Sequence, residues 1–170
     1  MRLEDRTLQP LQVFVYGTLK PGEINFAPYC QSRGCEATPA IVFGRLYSLP
    51  LGYPAITTGD LPVYGFLLSF PDATALAELD QLEDYDPTRP SEQNEYLREQ
   101  TDVLLLDRTR VGSAWIYRMS PARIQALGGI WLPQGDWSSV IQAQYWHPRG
   151  LDAGTGILSQ ESYRISESDL

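Results

Sequence analysis

Few residue types in this chain can do chemistry, and carboxylates are the most numerous of them. Asp and Glu total 21 against 13 Lys and Arg, for a formal net charge of −8. There is one histidine, His147, and there are two cysteines, Cys30 and Cys35. A single histidine excludes any site built on a His pair, and nucleophile–His chemistry would have to run through His147 alone. Cys30 and Cys35 match no zinc-ligand spacing, and no second Cys/His pair completes a metal site. A reduced pair is the expectation. No phosphate loop and no G-x-S-x-G elbow occurs. Proton transfer by a carboxylate is the chemistry this composition favours. The acidic excess argues against nucleic-acid binding, because it repels phosphate backbones.

One carboxylate stands out by position. Pro71-Asp72 is a helix start signal with Asp72 as the expected N-cap, and the pattern Ala73 to Glu83 follows until Pro87 ends it. At about 100° per residue, Leu76, Leu79 and Glu83 fall within roughly 60° of one another. Glu83 thus projects onto the apolar face, while Glu78 and Gln81 point away from it. A charge on a buried face is costly unless compensated. In the last turn the helix dipole also disfavours it, by about 0.3–1 kcal/mol. Asp84 and Asp86 are expected to add like-charge repulsion, and each effect raises the pKa of Glu83. Two readings are open. The helix ends near Glu83 and the carboxylate bends into water, or Glu83 is a general base tuned by partial burial. A glycosidase-type pair of Glu83 with Asp86 is chemically possible, though no sugar-binding aromatic pattern supports it.

The second feature is the run from Val13 to Gly22. A buried strand ends abruptly at Gly17, and a polar loop follows. Such an ending leaves the backbone N–H groups of Tyr16, Gly17, Thr18 and Leu19 outside the sheet ladder. Amides of that kind can hold a carboxylate or an oxyanion. An ordinary strand-to-turn junction is the competing reading.

The elements that must position these groups are mostly strands. Gln12 to Tyr16, Ala40 to Leu49, Val63 to Phe70, Thr101 to Leu106 and Gly112 to Tyr117 are short apolar runs rich in β-formers. Gly44 and Gly65 interrupt two of them, which marks a bulge, a bend or a close backbone approach. Five or more short, bent strands with a few flanking helices predict an α+β chain built on a small curled mixed β-barrel or a strongly curled sheet. Shorter helices are expected from Pro121 to Leu127 and from Asp136, the latter carrying Val140 and Ile141. The length of 170 residues fits a single domain, placed at 10–147, with a polar tail at 148–170. No apolar run approaches the roughly 20 residues a membrane helix needs. The N-terminus has no signal-peptide pattern, so a cytoplasmic protein is expected.

Taken together, the motifs resemble the γ-glutamylcyclotransferase-like superfamily, in its AIG2-like and γ-glutamylamine cyclotransferase branch. Phe14-Val15-Tyr16-Gly17-Thr18-Leu19-Lys20, with Gly22 and Asn25, is similar to the family's N-terminal motif. Gly44-Arg45-Leu46-Tyr47 resembles its G-x-L-Y strand, and Gly52-Tyr53-Pro54-Ala55 its G-x-Y-P-A loop. Leu79-Asp80-Gln81-Leu82-Glu83 resembles its L-D-x-x-E helix, followed by Tyr96-x-Arg98. Ala114-Trp115-Ile116-Tyr117 resembles its A-x-x-Y strand. The similarity spans roughly residues 12 to 118.

The resemblance implies an enzyme that cyclises a γ-glutamyl amine or peptide to 5-oxoproline and releases the amine. Glu83 would be the catalytic base. Tyr16, Gly17, Thr18 and Leu19 would hold the substrate, with Tyr53 and Tyr117 as further candidates lining the pocket. A small γ-glutamyl molecule is the implied partner. No cofactor, metal, membrane or nucleic acid is called for, and the oligomeric state is not readable. Two departures stand out. Asp84 occupies the position after the catalytic Glu where the family often has Gly, and the segment 86–92 lengthens the gap before Tyr96. Asp84 and the altered neighbourhood of Glu83 leave room for a catalytically silent module that binds a γ-glutamyl or similar small metabolite, and a segment such as 86–92 is expected to border the pocket and change substrate choice. Gly135-Asp136-Trp137 is read as a turn with a helix cap and a packing Trp.

Overall fold

The computed structural model describes residues 10–140. His147, Ile141 and the expected tail at 148–170 lie outside the described residues. The strands are β1 (Leu11–Val15), β2 (Glu36–Ser48), β3 (Pro54–Phe70), β4 (Leu97–Leu105), β5 (Arg110–Arg118) and the short β6 (Ile130–Trp131). Their order is β3-β1-β5-β4-β2-β6, and a further β2–β3 pairing joins the first five strands into a closed barrel. The β1–β5 pair is parallel at Val13 and Trp115, whereas the other pairings are antiparallel, so the sheet is mixed as expected.

Period-two patterning explains how β1 serves two cores. Its Phe14 and the following Tyr16 join Val42, Leu46, Ile56, Val63, Leu67, Val103 and Ile116, which come from every barrel strand, with Trp137 alongside. Val13 and Val15 face the opposite side, packing with Leu68, Phe70, Tyr96, Tyr117 and the helix residues Ala75, Leu79 and Ile124. Those helix residues belong to α2 (Ala75–Leu82) and α3 (Pro121–Ala126), and the short α1 (Phe26–Tyr29) precedes them. The apolar stripe of α2 is thus what docks it against the outer face of β1.

Both interrupting glycines have a physical reason. A Cβ on Gly65 would lie 2.1 Å from the Val15 carbonyl oxygen, closer than any real contact. At Gly44 the β2–β3 register shifts: Gly44 pairs with Leu61 but Arg45 pairs with Thr57. Residues 58–60 form the bulge that bends the ribbon.

Several expectations need correction. β3 is one strand from Pro54, not from Val63, and β2 begins at Glu36 rather than Ala40. Thr74, not Asp72, is the N-cap of α2; the Asp72 carboxylate instead accepts from the Thr74 N–H at 2.8 Å. Residues 136–138 are irregular, and helical residues begin at Ser139 and include Val140, so the helix expected from Asp136 starts three residues later. Trp137 is fully buried, the packing role anticipated for it.

Candidate active site

A cavity of about 230 Å³ opens where β1 ends. Tyr16, Gly17, Thr18, Leu19, Tyr53, Glu83 and Tyr117 all line it, so the fold brings the sequence-derived candidates to one place. Asn25, Glu95 and Tyr96 complete much of the remaining polar wall.

Glu83 reaches the cavity from the end of α2. It is the C-cap of that helix, and its N–H still donates to Leu79 at 2.9 Å. The helix therefore does stop here, yet the carboxylate turns to the cavity rather than to bulk water. The residue is half-buried overall, but its carboxyl sits in low-dielectric surroundings. Burial pushes its pKa up to about 8, with the negative charge of Glu95 adding to the effect. No hydrogen bond contributes to that shift. The expected repulsion from Asp84 and Asp86 is not what acts on it. The Asp84 carboxylate is bound by Arg89 at 2.9 Å, and that of Asp86 accepts from the N–H and hydroxyl of Thr88.

Asp84 itself has φ +50°, the left-handed conformation that follows a helix end and usually suits glycine. Asp tolerates it better than most side chains. Its exposed side chain neither crowds the cavity nor lines it. The segment 86–92 does not line the cavity either. Asn94 anchors that segment, accepting from the Asp86 N–H at 2.8 Å and donating back to its carbonyl at 3.2 Å.

The turn after β1 supplies the opposite wall. Lys20 N–H donates to Gly17 at 3.0 Å and Asn25 N–H to Thr18 at 2.9 Å, while the Asn25 side chain holds the Thr18 hydroxyl at 2.9 Å. Among the described residues, the N–H groups of Gly17, Thr18 and Leu19 donate to no backbone carbonyl. Gly17 is required by Pro54, since a Cβ there would lie 2.6 Å from the Pro54 ring. Lys20 is buried and ties the turn to the distant Asp136-Trp137 segment, with Nζ on the Trp137 carbonyl and 3.3 Å from the Asp136 carboxylate.

The tyrosines are held individually. Tyr16 donates to the Tyr117 carbonyl and Tyr96 to the Pro54 carbonyl, each at 2.7 Å. The Tyr117 hydroxyl donates to Asp80, and the Tyr53 hydroxyl to Glu95. Burial raises the pKa of all four phenols, so they stay neutral donors. Asp80 also receives Arg98 at 2.5 Å, and that guanidinium lies over the rings of Trp115 and Tyr85. Sequence reasoning missed Glu95 and the Asp80 link. Their only signal was adjacency, to Tyr96-x-Arg98 and to Glu83 within L-D-x-x-E.

Away from the cavity, Cys30 and Cys35 are free thiols, the first buried with its pKa pushed up to about 12 by desolvation. Among the described residues no group of His, Cys, Asp and Glu is placed to hold a metal ion. No helix there is long and apolar enough to cross a membrane.

Residues 13–139 match the family model described as gamma-glutamyl cyclotransferase, AIG2-like, so the family match runs beyond the region up to Tyr117 covered by the sequence motifs. No curated protein matches the chain. Several solved structures share its fold. An AIG2-like protein of Mus musculus superposes with a TM-score of 0.54 at 20% identity, over 76% of this chain and 89% of its own. The ytfP protein of Escherichia coli does so at 0.52 and 27%, over 75% and 96% respectively. An Arabidopsis thaliana protein gives 0.56 and 24%, over 82% and 87%.

Proposed function

Because the chain belongs to the AIG2-like gamma-glutamyl cyclotransferase family, we propose that it converts a γ-glutamyl amide into 5-oxoproline and a free amine, with Glu83 as proton carrier. The observation that carries this reading is the cavity itself. Among the described residues the Glu83 carboxyl has no hydrogen-bond partner, and it faces the same small space as a turn of backbone amides outside the sheet ladder.

The chemistry needs little else. The substrate's α-nitrogen attacks its own γ-carbonyl carbon, and the new C–N bond closes a five-membered ring. As the carbonyl re-forms, the original amide C–N bond breaks. Two protons leave the α-ammonium nitrogen, which ends as the lactam N–H, and two reach the departing nitrogen, which leaves as an ammonium, so Glu83 moves protons without a net gain, and no water is consumed. A base with pKa about 8 is well matched to an α-amino group, whose own pKa is roughly 8. The Gly17–Leu19 amides suit the α-carboxylate or the developing oxyanion. Attack is intramolecular, so holding the substrate folded can supply about 7–11 kcal/mol of the barrier reduction. The tyrosine walls, locked by their own hydrogen bonds, suit that task.

The alternative, a catalytically silent binding module, drew on Asp84 beside the base; the outward, Arg89-bound side chain of Asp84 supports the enzyme reading over it. The test is 5-oxoproline release from a panel of γ-glutamyl amides. Wild type is expected to turn over at least one of them, and Glu83→Gln to lose about 10²–10⁴-fold in rate. Full activity in Glu83→Gln would overturn the assignment of the base.

A further inference from the structure

The turn that follows β1 grips a distant part of the chain with two of its own charged side chains. Lys20 closes the turn through its backbone, its N–H donating to the Gly17 carbonyl at 3.0 Å. Its side chain is buried and sends Nζ to the Trp137 carbonyl and, at 3.3 Å, to the Asp136 carboxylate. Glu23, whose N–H donates to the Lys20 carbonyl at 3.0 Å, accepts the Ser139 N–H at 3.3 Å. Trp137 and Ser139 lie 117 and 116 positions along the chain from Lys20 and Glu23 respectively. A cation thus meets a backbone carbonyl and an anion meets a backbone N–H, the polarity each requires.

The gripped segment is itself fixed on the barrel. The Leu132 N–H donates to the Leu46 carbonyl in β2, and the Tyr64 N–H in β3 donates to the Gly135 carbonyl, each at 2.8 Å. A Cβ on Gly135 would lie 2.0 Å from the Pro62 carbonyl oxygen, so the segment runs flush against β3. Trp137 is fully buried and belongs to the inner core with Phe14, Tyr16 and Val63. Lys20 therefore binds the turn to a part of the molecule that has anchors of its own.

Neither Lys20 nor Glu23 lines the cavity, so their effect on a ligand held there is through the turn that carries them. Among the described residues, the N–H groups of Gly17, Thr18 and Leu19 donate to no backbone carbonyl, so no ladder sets the direction of those donors. The Asn25 side chain steadies Thr18, and Lys20 holds the chain directly after Leu19. Donors aimed at a negative charge act at full strength only when they are fixed beforehand. A lysine with this burial is an unusual choice for a turn that merely connects two elements. We propose that Lys20, with Glu23 as its lesser partner, is a positioning residue: the clasp on residues 136–139 aims the Gly17–Leu19 amides at the substrate. This role rests on the function proposed above and adds to it residues outside the cavity.

Three variants test the clasp. Lys20→Met keeps the stem and removes the ammonium, Glu23→Ala removes the second grip, and Glu23→Gln keeps an acceptor for the Ser139 N–H. Each is compared with wild type at a temperature where circular dichroism shows it fully folded. The readouts are kcat/KM on a γ-glutamyl amide that wild type turns over, its pH profile, and the backbone NMR order parameters of Gly17, Thr18 and Leu19. Lys20→Met is expected to lower kcat/KM about 10- to 100-fold. The order parameters of the three amides are expected to fall from about 0.85 towards 0.6, while those of Val13 to Val15 hold. Glu23→Ala is expected to lose about three- to tenfold in kcat/KM, and Glu23→Gln to stay within about twofold of wild type. The lower limb of the pH profile is expected not to move, because the clasp does not act on Glu83. A rate loss with unchanged amide order, lost order with an unchanged rate, or a shifted limb overturns the role. If Lys20→Met fails to fold, the Glu23 pair decides, and equal rates in Glu23→Ala and Glu23→Gln overturn it. Absence of 5-oxoproline from every γ-glutamyl amide in wild type overturns the proposed reaction instead. Amide order then decides the clasp alone, loss of order supporting it and unchanged order overturning it.

Discussion

The Tyr117 hydroxyl donates to Asp80 Oδ1 at 2.7 Å, although 37 residues separate them, and Asp80 lies on the helix that ends at Glu83. The other oxygen of Asp80 takes Arg98, so one carboxylate joins α2 to β4 and β5 directly beneath the cavity. Asp80→Asn would leave the Arg98 charge, only 16% exposed in its side chain, without a counter-ion. The expected loss is about 2–3 kcal/mol in urea unfolding, somewhat below the cost of breaking a fully buried pair. Tyr117→Phe removes one hydrogen bond and should cost about 1 kcal/mol. Similar losses for the two variants would mean the Arg98 pair contributes little.

The pKa of Glu83 sets a pH window. In the proposed mechanism the ionised form is the base, so activity is expected to fall as pH drops below about 8. A rate profile with its lower limb near an ordinary carboxyl value would contradict this. Stability should move the other way. A carboxyl whose folded pKa is raised contributes fully below its unfolded value and loses that contribution as pH rises through the folded value. Wild type should therefore lose stability between about pH 4.5 and 8, and Glu83→Gln should lack this component of the slope. Denaturant midpoints across that range measure it.

Gly17→Ala would push a methyl group to within 2.6 Å of Pro54 Cγ. Either the turn or the β3 start has to shift. We expect a destabilisation of about 1–3 kcal/mol from overpacking. A displacement of about 1 Å in the amides should also reduce kcat/KM by about 10²-fold. An alanine variant with normal kcat/KM would show that the position of these amides is not critical.

Asp84→Gly tests whether the departure from glycine matters. Glycine relieves the cost of φ +50° but loosens the unfolded chain and gives up the exposed Arg89 pair. The net change should stay within about 1 kcal/mol. The pH profile of activity should not move, because the Asp84 charge does not act on Glu83. A shifted profile would reveal a coupling that the geometry does not contain.

Much of the site was legible because its parts are local. The Gly17 turn ends a strand with a clear apolar run, and Glu83 sits one helical turn after Leu79, so the pattern marked both as candidates, and the family motifs joined them into one expected site. The barrel was legible through its apolar strands and through Gly44 and Gly65. The first half of β3 was not. Thr58 to Asp60 carry turn chemistry because they form the bulge opposite Gly44 and Arg45, and a bulge inside a continuous strand looks like a break in sequence. Glu95 was hidden for a different reason. Its place beside Glu83 depends on how the segment after Asp84 folds back, through Asn94 and the Asp84 carbonyl, and on Tyr53, 42 positions away. No short-range pattern encodes that return.

The β2–β3 pairing that closes the barrel has a consequence for how copies of this chain behave in company. A sheet with open edges offers unsatisfied backbone groups to any passing strand, and charge or proline must then fend off such pairing. Here each of the five barrel strands has a neighbour on both sides. Backbone valence, rather than the charge of −8, is what guards the barrel against edge-to-edge growth. The acidic residues are therefore free to be distributed by other demands, including the pair, Glu83 and Glu95, that lines the cavity.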